Sequence, residues 1–117
     1  MGSATIKSSF ETQNPKDKKK KVGFDYNETK SGNKGGGPRG LKISEQGKSG
    51  AKEYDIEPNP HDNPKYNKKQ AKFYEAAAVA VATVVLKDKD WDPDAKKSSF
   101  PKNASFTWES ETYKLKG

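Results

Sequence analysis

The chain has 117 residues, of which 29% are hydrophobic and 33% charged, with a mean hydropathy of −1.20 and no cysteine. This length suits one small domain, and the missing cysteine excludes disulfides and thiolate metal sites. A net charge of +7 points to acidic partners: nucleic acid, an anionic lipid surface or an acidic protein assembly.

Ordering the backbone costs about 1–2 kcal/mol per residue, which buried apolar area must offset. So sparse an apolar content predicts a chain that is ordered in part only against something larger. The start, MGSATIKSSF, carries no apolar run of the signal-peptide kind, and Ile6 stands where a myristoylation pattern has Ser or Thr. No apolar run reaches the roughly 20 residues of a membrane-spanning helix. The expected location is intracellular, either soluble or peripherally bound. Asn27 and Asn103 each begin a glycosylation sequon, which has no bearing on a chain outside the secretory route.

Residues 1–64 are polar and rich in Gly, Pro, Asn, Ser and Lys, with apolar residues scattered singly. Val22, Phe24 and Tyr26 alternate, as do Leu41 and Ile43, so two short extended segments are expected there. The region otherwise reads as an extended basic arm largely without regular structure. Its first fifty residues carry eleven Lys/Arg against five Asp/Glu. Lys18, Lys19, Lys20 and Lys21, with Arg39, are candidate contacts for an anionic partner, and Phe24 and Tyr26 follow as candidate stacking aromatics.

Two phosphate-loop patterns fall in this arm. Gly35, Gly37 and Gly40 spell a dinucleotide-type G-x-G-x-x-G, yet Pro38 interrupts it and no strand leads in. Gly47, Lys48 and Ser49 end like a Walker A loop, but Lys42 occupies the position of its first glycine. Both read as flexible linker. An acidic, proline-punctuated joint over residues 51–64 follows and holds His61, the single histidine. A nuclease or toxin domain would use His61 as general base beside Glu57 or Asp62; a polar loop residue is the plainer reading.

Residues 65–117 read as a small helix-plus-strand nucleus. Pro64 suits a helix start, and Phe73, Ala77, Ala80, Val81 and Val84 recur at helical spacing, so a helix is expected over 65–86. Val79, Val81, Thr83 and Val85 also alternate, which leaves a buried strand as a second reading; alanine content and length favour the helix. Its charges are inverted. Lys65, Lys68, Lys69 and Lys72 crowd the N-terminal part and Asp88 and Asp90 follow the end, each sign opposing the helix macrodipole. Lys68, Lys69 and Lys72 join the candidate anionic contacts.

Asp88, Asp90, Asp92 and Asp94 alternate like the start of a calcium loop, but the glycine and glutamate such a loop needs are absent. Finally, 105–109 and 111–115 read as one strand or a small hairpin. Phe73, Val81, Trp91, Trp108 and Tyr113 are the expected anchors, serving as core and as a protein-docking set.

The sequence thus predicts a small α+β protein: a long irregular basic arm, one helix and a short C-terminal strand or hairpin. The expected function is non-catalytic, a structural or assembly protein that threads along and docks on a larger complex, with no cofactor or metal. A ribosome-type nucleic-acid-binding accessory protein is the alternative, and a small nuclease the third reading.

Overall fold

The computed structural model describes residues 6–30 and 38–117. Six strands form one antiparallel sheet: β1 Lys7–Gln13, β2 Lys21–Thr29, β3 Gly40–Glu45, β4 Ala51–Glu57, β5 Asn103–Trp108 and β6 Glu111–Lys116. One long helix, α1 Gln70–Lys87, lies against a single face of it. The strand order is β1-β2-β3-β4-β6-β5, so the chain makes a four-strand meander, crosses through α1, and returns to add a hairpin beside β4.

This overturns the expected architecture. Strands dominate, and the region read as an irregular arm is built from β1 to β4 beginning at Lys7. The reason lies in alternation. On β2, Val22, Phe24 and Tyr26 turn inward, while Lys21 and Asp25 face water. Leu41 and Ile43 on β3, and Tyr54 and Ile56 on β4, do the same. A sheet covered on one face needs only every second residue to be apolar. Its solvent face lowers the mean hydropathy without weakening the core. The inward residues are also large: Phe24, Leu41, Ile43, Tyr54 and Ile56 are at most 2% exposed.

The solvent face is polar in register. Lys42 pairs across from Glu53 and Asp55 from Lys116, and the Lys116 ammonium lies 2.8 Å from Glu57. That hydrogen bond and charge hold the exposed Glu57 carboxyl below its ordinary range and raise the lysine correspondingly.

The turns are written locally. Between β1 and β2, Asn14 Oδ1 accepts from the Lys16 N–H and Asp17 Oδ1 from the Lys19 N–H. Between β5 and β6 only Glu109 and Ser110 intervene, both at positive φ (49° and 66°), as a two-residue primed turn requires. Of the two readings of the C-terminal segments, one strand or a small hairpin, the hairpin is present, as are the two alternating segments at 22–26 and 41–43.

The helix begins later than expected. From Pro64 to Lys68 the chain makes successive turns, started by Asn63 Oδ1 accepting from the Lys65 N–H, and the first helical bond runs from Phe73 N–H to the Lys69 carbonyl. Lys69 sits at the N-cap with no side-chain cap, and no acid occupies the first turn. The lysines at 65, 68, 69 and 72 disfavour extending a positive helix end among them.

Candidate docking surface

The five anchors named from the sequence lie in the core. Phe73, Val81 and Tyr113 are fully buried, and Trp91 and Trp108 are 6% and 9% exposed. Phe73 is a hub: its ring meets Tyr66, Tyr74, Phe106, Trp108 and Tyr113 at centroid distances of 5.0–5.4 Å. The rings of Tyr66, Tyr74, Trp108 and Tyr113 stand edge-on to it, the arrangement aromatic quadrupoles prefer. Their polar tips are used internally. Asn63 Nδ2 donates to the Tyr113 hydroxyl, which donates to Glu111, and Tyr66 donates to Tyr74, whose hydroxyl reaches the Pro38 carbonyl. Burial raises the Tyr66, Tyr74 and Tyr113 hydroxyl pKa values, with the Glu28 carboxylate adding to the rise at Tyr66 and Tyr74.

The candidate anionic contacts fall in three places. Lys18, Lys19 and Lys20 are exposed on the β1–β2 turn, and Lys21 opens β2. Arg39 is 9% exposed beside the far end of β2, where its N–H donates to the Thr29 carbonyl. At about 3.4 Å per residue, the nine residues of β2 put roughly 27 Å between these points. Lys68, Lys69 and Lys72 are exposed at the α1 N-terminus. Here Lys65 and Lys69 lie 3.2 and 3.7 Å from Glu109 of the β5–β6 turn, which holds that carboxyl below its usual range.

The phosphate-loop look-alikes have structural uses. Gly47, Lys48 and Ser49 form the β3–β4 turn, with Gly47 at φ 83°. The Lys48 ammonium is 3.0 Å from Glu45, with both side chains buried, and lies 5.1 Å from the Trp91 ring centroid. Ser49 bonds the segment after α1 three times, its N–H and its hydroxyl donating to the Lys96 carbonyl and its carbonyl accepting from the Ser98 N–H. Gly40 opens β3; Gly35 and Gly37 lie outside the described residues, as does Gly2.

His61 sits in a short 3-10 turn, Pro60–Asp62. Its Nε2 is 3.2 Å from the Pro38 carbonyl, to which it donates, and its ring stands against Tyr66. Asp88 and Asp92 accept from the N–H groups of Asp90 and Asp94, so the alternating aspartates build turns. Among the described residues no group of three His, Asp or Glu is placed to hold a metal.

What the sequence reading missed lies on the outside of α1. Phe73, Ala77, Val81 and Val85 form one inward row and Tyr74, Ala78 and Ala82 a second, so the sheet covers a broad face of the helix. Val84, expected on the inward face, is 44% exposed, and Val79 is 42% exposed; these two are the exposed large hydrophobics among the described residues. Between Glu75 and Lys87 the helix has no charged side chain at all. A surface helix ordinarily fills its outer face with charge. The one polar side chain there, Thr83, donates its hydroxyl to the Val79 carbonyl of its own helix at 2.8 Å.

Hollows flank this strip on both sides. On the β1 side, Phe10, Val79, Thr83 and Leu86 line one of about 320 Å³. On the β5 side, Val84, Ala104 and Leu115, rimmed by Lys114 and Lys116, line one of about 560 Å³. The signal was present in the sequence as an uncharged run longer than one buried face requires.

No protein-family model matches this chain, and searches of curated proteins and of solved structures return no match. No helix among the described residues is long and apolar enough to cross a membrane.

Proposed function

We propose that this protein is a non-catalytic assembly component that docks, as a folded body, on a protein partner through the outer face of α1. The observation that carries this reading is the charge-free strip of α1 with Val79 and Val84 exposed to water between two hollows. Exposed apolar surface of this kind is characteristic of interaction sites. The interior supports the same reading. His61 and the Glu28 carboxylate are engaged with backbone groups, the Pro38 carbonyl and the Ile6 N–H.

The test is a photo-cross-linking amino acid in place of Val84, with one at Thr107 on the solvent face of β5 as control. Specific adducts in a native extract are expected at position 84 alone, and excess wild-type protein competes for them while Val84→Glu does not. Equal labelling at both positions overturns the reading.

The exposed lysines of the β1–β2 turn and the net charge of +7 favour a second reading, binding to nucleic acid. It predicts an affinity that falls steeply with salt, and a smaller salt slope after Lys18→Ala and Lys20→Ala.

A further inference from the structure

Taking the outer face of α1 as a docking surface, we propose that its occupant is a second copy of this chain, packed with the two α1 helices antiparallel. Charge favours this pairing. Residues 65–72, leading into α1, hold no acid and four lysines, two of which, Lys65 and Lys69, already face Glu109, whereas residues 87–94, leading out, hold four aspartates against two lysines. Within one chain both sets oppose the helix macrodipole. In a two-fold antiparallel pair the partner's charges offset that opposition. The lysines of each copy lie beside the negative end of the other helix and its aspartates, and the aspartates lie beside the positive end and its lysines. An isologous interface makes this match twice.

The strip itself suits close contact. Ala76, Val79, Ala80, Thr83 and Val84 are small or β-branched, and the Thr83 hydroxyl is already bonded within its helix. Two such helices crossing near 20° can approach to about 8 Å. An 18-residue helix is about 27 Å long, so a shallow crossing keeps the oppositely charged ends together. The flanking hollows then receive the partner's rim. A single helix pair covers less than the roughly 800 Å² per partner of a standard interface, so the dimer belongs with small, transient interfaces.

Sedimentation equilibrium of the full chain over a wide concentration range tests this. The mass is expected to rise from 12.9 kDa toward twice that value, and added salt to weaken the association. Val79→Glu with Val84→Glu should leave a monomer with an unchanged circular dichroism spectrum. A variant carrying Lys68→Glu and Lys72→Glu should dimerise about tenfold or more weakly, as should one carrying Asp88→Lys and Asp90→Lys. Mixing the two charge variants should restore association.

A dimer indifferent to both charge variants overturns the antiparallel arrangement. A wild-type chain that is monomeric throughout overturns the second copy as occupant. If position 84 still cross-links specifically to another protein, the docking reading survives that failure; if it cross-links to nothing, both fall.

Discussion

Single residues show how closely local chemistry is matched to the turns, and where it is not. Glu109 and Ser110 both hold positive φ without being glycine or asparagine, the residues such a turn prefers. Glu109 is retained by its two lysine contacts, but Ser110 has no hydrogen bond of this kind to explain it. Ser110→Gly should therefore stabilise the fold by about 0.5–1 kcal/mol, seen as a higher thermal midpoint with an unchanged spectrum. A midpoint that falls would mean that the entropy of glycine in the unfolded chain outweighs the relieved strain.

At the scale of elements, α1 contains two populations of valine that helical spacing alone did not separate. Val81 is fully buried, whereas Val84, three residues on, is nearly half exposed. Val81→Ala should lose about 1.5–3 kcal/mol in urea unfolding. Val84→Ala should change stability by less than about 0.5 kcal/mol when measured on dilute protein. Equal losses would mean that the helix is rotated from the orientation described. The spacing of Phe73, Ala77 and Val81 was legible, but which flank of that row lies inside depends on how far the sheet wraps α1. That is settled by β5 and β2, distant in sequence, and not by the helix itself.

The whole molecule behaves as one sheet and not as an arm joined to a nucleus. β6 pairs with β4, and α1 covers residues of β2, β3 and β4 as well as the C-terminal hairpin. A fragment of residues 65–117 loses seven of the nineteen buried hydrophobic residues, those of β2, β3 and β4. It should show no cooperative thermal transition by circular dichroism, and a folded fragment would contradict this account.

Alkali should act on the whole fold through its buried phenols. Burial pushes the Tyr54 hydroxyl, which donates to the Pro101 carbonyl, up to about 12, and raises Tyr66, Tyr74 and Tyr113 as well. An unfolded tyrosine ionises near about 10, so the folded state holds protons there that the unfolded state releases. The stability Tyr54 contributes is complete below about pH 10 and is lost as the pH climbs toward 12, and the other three act in the same direction. Phenolate absorbance should appear together with unfolding in that window. Smooth titration of every tyrosine near pH 10 in a folded protein would refute this.

The sequence by itself pointed to the local pieces: a helix rich in alanine, favoured over a strand, a C-terminal strand or hairpin, and alternating segments at Val22, Phe24, Tyr26 and at Leu41, Ile43. These follow from periodicity and turn chemistry, which act over a few residues. Tertiary structure decided that the segments pair into a single sheet, that β6 inserts between β4 and β5, and that Val79 and Val84 are left facing water. Strand pairing joins residues far apart in the chain, as with Ile56 and Leu115, and no local pattern names the partner. For the same reason composition misjudged the first 64 residues. Mean hydropathy averages the two faces of a strand, whereas folding depends on the face that is covered.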